Sequence, residues 1–484
     1  MTELTFDLIV AGCGVAGLSA AVAAAERGLS VAVLERATCE ERGGQSRFTE
    51  AYLRMKSHEE VTDDFEQFLA ENSGFYQDPD FVAEGLSERS SWSPQTRALA
   101  SIDAGVIGAF ADNVADTIAW LKQQGVRFDF LPTQFLTSTQ PRLLPVGGGE
   151  AIVETLAARA EEQGVRFFYE TSARSLISQG YSRIEGIRAV SRTEGDITFY
   201  GAVVLACGGF EGNSEMMTQY VGPRSIYLRP VCKGAYYNRG EGIRMALDLG
   251  AAGAGDFGSY HAEPVDPRSG ISEPSIFIFP YGVLVNQQGL RFTDEAPGTV
   301  DAWYERVTRR IYEQSEGIAW VILDQQVKDI PNYRLAIRTD QPAIEGATLA
   351  QLAERIGVPA EALEQTLADY NNACGEGDYQ PLVADGLATT GLTPAKSNWA
   401  QRIEQGPFFA YPIISSNVFS FGGLKVNEQA QVVNVDGNIV ENLYAAGETM
   451  GLYFGNYAGG TSVLKGLVFG RLAGAGVERV GVDV

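Results

Sequence analysis

The run Phe6-Asp7-Leu8-Ile9-Val10-Ala11 is almost wholly apolar and enters Gly12-Cys13-Gly14-Val15-Ala16-Gly17; from Leu18 to Gly28 the chain is then Ala-rich and strongly helix-forming. Ser30-Val31-Ala32-Val33-Leu34-Glu35 follows as a second short buried strand. The alternation predicts a βαβ unit. Further along, Ile152, Val153, Leu156 and Ala160 keep helical spacing after Gly147-Gly148-Gly149; Gly164 stops that helix and Val165-Arg166-Phe167-Phe168-Tyr169 resumes a strand. Ala202 to Phe210 reads as a buried strand ending in Gly208-Gly209, and a helix from Glu241 to Leu249 ends at Gly250. A Gly/Pro-rich segment runs from Gly253 to Pro274. Thr348-Leu349-Ala350-Gln351 is a capping box, a second helix follows Pro359 to about Cys374, and a last one runs from Thr461-Ser462-Val463 to about Gly474.

These turns have the chemistry of a nucleotide site. Gly12 permits a tight turn, Gly14 lets the backbone approach a pyrophosphate at the helix N-terminus beside Val15 and Ala16, and Gly17 allows close helix-to-strand packing. Glu35, followed by Arg36 at the end of the second strand, is placed to accept hydrogen bonds from a ribose diol and to repel a 2′-phosphate, which argues against NADP. Gly43, Gly44 and Gln45 offer backbone amides, and Ser46 and Thr49 offer hydroxyls, to a pyrophosphate or a ribityl chain. The other half of the fingerprint lies at the far end of the chain. Ala445-Ala446-Gly447-Glu448 is followed by Gly455-Asn456-Tyr457-Ala458-Gly459-Gly460-Thr461-Ser462-Val463. One long ligand gripped by both segments fits FAD better than NAD, with Ala206, Cys207 and Gly208 forming a second close backbone approach.

With 484 residues, 45% of them hydrophobic, the chain has material for several domains and reads as a soluble multidomain enzyme. A net charge of −24 excludes nucleic acid and anionic membrane surfaces as partners, but a local basic pocket for an anionic substrate stays compatible with it. The five cysteines form no Cys-x-x-Cys pair, so no metal site, iron–sulfur cluster or c-type haem is expected. The N-terminal apolar run reads as a strand and not a signal peptide, and no stretch approaches the roughly 20 apolar residues that span a bilayer. The expected protein does not span a membrane and works in the reducing cytoplasm.

Leu205-Ala206-Cys207-Gly208-Gly209-Phe210-Glu211, the segment Val283 to Glu295, Thr393 to Ala400 and Pro407 to Tyr411 resemble the fumarate reductase/succinate dehydrogenase flavoprotein superfamily, with most similarity to its tricarballylate dehydrogenase branch. The resemblance implies an α/β fold: a Rossmann-like FAD-binding domain of the glutathione reductase type, with an inserted α+β capping domain. The expected FAD-binding domain is discontinuous, 1–257 and 418–484, with the capping domain from 258 to 417. It further implies that Val283 to Glu295 is the cap hairpin, that Glu448 binds the ribityl chain, and that His261, at the junction into the cap, binds a substrate carboxylate. No histidine matches the family's covalent flavin linkage, so noncovalent FAD is expected.

Departures from the family bear on substrate. Tyr457 stands where fumarate reductases carry a substrate-clamping arginine and where ketosteroid dehydrogenases place a tyrosine in a comparable glycine-rich segment. It serves as a base or as a hydrogen-bond donor to a carbonyl oxygen. Thr299 stands at the position of the proton-donating arginine, and Val418-Phe419-Ser420-Phe421 replaces a double-histidine segment. With Phe419, Phe421 and Tyr457 in the pocket, and Tyr304 and Arg306 near it in the cap, the expected reaction is an FAD-dependent dehydrogenation. It forms a C=C bond next to a carbonyl or carboxylate, with a cyclic ketone or keto acid preferred over a polycarboxylate of the tricarballylate type. Amine or amino-acid oxidation and a redox-inactive flavin-binding protein remain as alternatives of other classes. The electron acceptor is oxygen, a quinone or a separate carrier protein.

Overall fold

The computed structural model of the chain describes residues 2–71, 78–101, 104–130 and 143–479. Strand β1 (Thr2–Ala11), helix α1 (Val15–Glu26) and strand β2 (Val31–Leu34) form the expected βαβ unit, with β1 and β2 parallel and Leu8 opposite Val31. Gly12 turns the chain at φ +106°, and a Cβ there would lie 2.2 Å from the Ala206 carbonyl oxygen. Only glycine fits this position. Helix α2 (Gly148–Glu162) leads to β3 (Arg166–Phe168), which extends the parallel sheet beside β2. Then β4 (Thr171–Gln179), β5 (Arg183–Ser191) and β6 (Gly195–Leu205) run as an antiparallel meander.

A second sheet follows. It is built from β7 (Tyr260–Val265), β8 (Val283–Val285), β9 (Ile318–Leu323) and β10 (Phe408–Ser420), in the order β7–β10–β9–β8 with every one of these neighbours antiparallel. Between β8 and β9, helix α3 (Val300–Tyr312) lies against β7 and β10. The helices α4 (Leu349–Ile356) and α5 (Ala360–Ala373) pack on each other over the other part of this unit. The Thr348 hydroxyl accepts from the Gln351 amide at 3.2 Å, and the Gln351 side chain accepts from the Ala347 amide at 3.2 Å, one residue earlier than a standard capping box. Of the segment read as a hairpin, only Val283–Val285 is a strand; the return meets it at a single bridge, Val285 to Arg291.

The chain then rejoins the first sheet through β11 (Gln431–Val433) and β12 (Ile439–Ala445), and helix α6 (Ser462–Gly476) follows. One edge of β6 runs along β1; its other edge is divided between Gly195 to Tyr200, paired with β5, and Val203 to Leu205, paired in parallel with β12. The C-terminal segment is therefore sheet core. Helices α1 and α6 touch backbone to backbone, since a Cβ on Gly470 would lie 2.2 Å from the Ala16 carbonyl oxygen and one on Gly474 2.1 Å from that of Ala20.

The division expected between 417 and 418 falls inside β10, which runs unbroken from the second sheet into the large core beside the first. Arg229–Pro230, from the first segment, also pairs with β10. The two sheets are joined by continuous backbone, so no linker marks that end of the insert. Among the described residues, no helix is long and apolar enough to cross a membrane.

Candidate active site

The glycine turns open onto one cavity. Gly12, Gly14, Val15, Ala16, Glu35, Arg36, Gly43, Gly44, Gln45, Ser46, Thr49, Ala206, Cys207, Gly208, Gly447, Glu448, Ser462 and Val463 all line it, and its empty space, the part open to solvent included, is about 1220 Å³. Gly17 and Gly460 do not. A Cβ on Gly17 would fall 2.0 Å from the Gly12 carbonyl oxygen, so that residue serves helix-to-turn packing, and the Gly460 carbonyl accepts from the Arg54 amide at 2.9 Å. The cavity also has walls that the sequence reading did not name: Thr171 to Ala173 at the start of β4, Asn238, Lys465 and Gly466. Lys465 had a visible signal, as a lone charge in the apolar run Val463 to Gly470, whereas Asn238 had none.

At one end, the Glu35 carboxylate accepts from the Cys13 amide at 3.0 Å and the Ala37 amide at 2.8 Å, which fixes its position in the cavity wall. Burial pushes its carboxyl above the usual range. The thiols nearby are inert. Burial raises Cys13 well above an ordinary thiol and Cys207 to about 12, and the Cys207 thiol donates to the Ala11 carbonyl at 3.2 Å.

At the other end stands a buried polar group. One Glu448 oxygen accepts from the Ser420 amide at 2.7 Å and the other from the Asn238 side chain at 3.3 Å; Asn238 also reaches Glu211 and donates to Gln45 at 3.3 Å. Burial pushes both carboxyls up, Glu211 well up with the neighbouring Glu448 adding to it, while the hydrogen bond from Glu211, the Ser420 amide and the Lys465 charge draw Glu448 back down. Phe419 lines the same cavity and leads into an aromatic cluster. Its ring lies 5.2 Å from His261, 5.0 Å from Tyr457 and 5.5 Å from Tyr453. Phe421, 1% exposed, backs the cluster from behind, 5.6 Å from both Phe419 and Tyr453.

Three polar side chains meet in this cluster. The His261 ring lies tilted 4.4 Å from Tyr457, and its Nε2 is 2.6 Å from the Tyr304 hydroxyl. Its Nδ1 is buried without a partner among the described residues. Burial, helped by the Arg309 charge, lowers the imidazole to about 3, so it is neutral near pH 7. The Tyr457 oxygen accepts from the Thr461 and Ser462 amides, both at 3.1 Å, and its hydroxyl donates to the Ser462 hydroxyl at 3.0 Å. A phenol thus occupies the N-terminus of α6, where Thr461 makes no side-chain cap. Glu305, which the sequence reading also missed, reaches across from α3. It accepts from the Tyr457 amide at 3.1 Å and from Arg309 at 2.9 Å, and Arg309 in turn donates to the Tyr260 carbonyl. Arg306 does not join the cluster: it is exposed, with its guanidinium 5.0 Å over the Trp303 ring. Thr299 precedes α3 as its N-cap residue.

Comparison with known proteins agrees with this geometry. The family described as an FAD binding domain matches residues 7–464. An NADH:acrylate oxidoreductase from Vibrio harveyi is 27% identical over 98% of this chain and 50% of its own, so the chain spans about half the length of that relative. A 4-oxocyclohexanecarboxylate 2-dehydrogenase from Sinomonas cyclohexanicum is 28% identical over 97% of this chain and 92% of its own. Among solved structures, the open conformation of a flavocytochrome c3 fumarate reductase superposes with a TM-score of 0.73 at 24% identity, covering 98% of this chain and 78% of the other. A 3-ketosteroid-Δ4-(5α)-dehydrogenase from Rhodococcus jostii RHA1 gives 0.67 at 24% identity, covering 98% and 97%. These two show the shared fold.

Proposed function

This chain belongs to the FAD binding domain family, within the fumarate reductase/succinate dehydrogenase flavoprotein superfamily, and from that we propose that it is a dehydrogenase that desaturates a cyclic ketone or keto acid next to its carbonyl. One observation carries the reading: His261 meets the Tyr304 hydroxyl through Nε2 and the Tyr457 ring at 4.4 Å, within an aromatic cluster that meets the FAD cavity at Phe419. Glu35, the glycine turns, Glu448 and the start of α6 would hold FAD noncovalently, and FAD when bound would supply the hydride acceptor. Everything else falls to the protein.

Tyr457 acts on the carbonyl oxygen. Two amides already donate to its own oxygen, which polarises the O–H; turning that proton from Ser462 to a carbonyl keeps both bonds. Tyr304, as its phenolate, takes the α-proton and becomes the phenol, its oxygen held at 2.6 Å by His261 Nε2–H, while burial keeps the imidazole neutral throughout. The pocket walls are Phe419, Tyr453, Tyr457 and Phe277, which meets Tyr304 edge-on at 5.5 Å. Arg309 is tied to Glu305 and to backbone, so these walls suit a ring with one carbonyl better than a polycarboxylate.

Exchange of substrate α-hydrogen with deuterated solvent separates the two tyrosines. Tyr304→Phe should lose exchange and turnover by about 100-fold or more, with FAD retained. Tyr457→Phe should slow both to a similar degree. Exchange at the wild-type rate in Tyr304→Phe would remove that residue from proton transfer.

A further inference from the structure

Lys465 lies inside α6 with an exposure of 2%, on a helix whose neighbouring positions, Leu464, Gly466, Leu467 and Val468, are apolar or glycine and buried. Its ammonium donates to the Met450 carbonyl at 3.0 Å and sits 4.8 Å over the Tyr453 ring, and the residue lines the same cavity as Glu448. Carbonyl and ring alone are a poor setting for a full charge in the interior. Among the described residues, the side chain that supports it electrostatically is Glu448, whereas burial and Glu448 push the carboxyl of the Glu211 beyond it well up. A lysine serving only as a tie between α6 and the Met450 turn would have no need to face the cofactor cavity.

Resting on the FAD reading above, we propose that the Lys465 ammonium is the counter-charge for the reduced flavin, so that this protein binds the reduced cofactor more tightly than it would with a neutral side chain there. Without Lys465, a flavin carrying the negative charge of reduction would meet the Glu448 carboxylate unopposed. Like charges in a buried site repel strongly, and one cation between them reverses the sign of that interaction. Burial lowers Lys465 to about 7, close enough to neutrality for a nearby charge to decide its protonation.

The test is the two-electron reduction potential of the bound flavin in the wild type and in Lys465→Met, each checked for full FAD content. Loss of the counter-charge should weaken reduced relative to oxidised binding at least tenfold, a fall of about 30 mV. An unchanged potential in a variant that holds FAD overturns the proposal. Should Lys465→Met lose its FAD, ¹⁵N-lysine NMR on the unmodified protein decides. The Lys465 ammonium should titrate at higher pH after dithionite reduction, while Lys396, buried in the second unit against the Gly282 carbonyl, serves as an unmoved control. Identical Lys465 titrations in both redox states overturn the proposal, and a purified protein that holds no flavin at all overturns the reading beneath it.

Discussion

A single neutral imidazole sets much of the residue-scale behaviour. His261 is wholly enclosed and stays unprotonated down to about pH 3, whereas in the unfolded chain it takes a proton near pH 6.5. A lowered folded value means that its contribution to stability is present above the unfolded value and is lost as pH falls below it. Between pH 7.5 and 5.5 this group alone should cost about 1.4 kcal/mol of unfolding free energy. Urea unfolding of wild type and His261→Asn at both values checks this: the variant should lose less stability over that interval, and equal losses would show that His261 is protonated in the native state. At this scale the sequence was readable where a motif marked the residue. Glu35, Ser46, Glu448 and Tyr457 stand at fixed offsets from glycines. What the sequence does not carry is the direction in which a helix faces. Arg306 and Glu305 are adjacent in α3, and a rotation of about 100° between them sends one to solvent and the other to the Tyr457 amide. The i, i+4 pairing of Glu305 with Arg309 was the clue that Glu305, and not Arg306, turns inward.

Among the elements, α3 and the glycine segment before α6 depend on each other. Glu305 is 7% exposed as a side chain and is the contact by which α3 holds the backbone of Tyr457, with Arg309 anchoring the same carboxylate to β7. Glu305→Ala leaves Arg309 and the Tyr457 amide without their acceptor, and breaking a buried pair from one side costs about 3 kcal/mol or more. Thermal unfolding of the FAD-bound variant should show that loss, with KM rising more than FAD affinity falls; unaltered melting and KM would mean that the contact is dispensable. Helices α1, α2, α5 and α6 were legible from apolar spacing bounded by glycine or proline, to within a few residues at each end. The segment Val283 to Glu295 was not, because its Arg291 and Glu295 look like turn polarity in a one-dimensional pattern. In the fold they form a buried ion pair at 2.6 Å that ties the return segment to the β8 amide of Leu284.

On the scale of the whole molecule, the chain is organised by return. Residues from the first and last parts of the chain share one sheet through β6 and one helix crossing through Gly470 and Gly474, and the cofactor cavity lies between those helix starts. The second sheet is fastened to this base at β10 and through Glu305, which places His261 against Phe419 at the cavity's edge, with Tyr304 bonded to that histidine. Glycine motifs at both ends announced the shared ligand, but only pairing in three dimensions revealed that β10 continues from one sheet into the core of the other. On the proposed reading, catalysis requires this arrangement to deliver a ring ketone to the flavin. The direct measurement is anaerobic mixing of the purified yellow protein with cyclic ketones and with polycarboxylates, following the flavin's visible absorbance. Bleaching by a cyclic ketone, with formation of the α,β-unsaturated product and free FAD on acid denaturation, is the predicted result. Absence of bleaching by every cyclic ketone, or bleaching by polycarboxylates alone, would contradict the account.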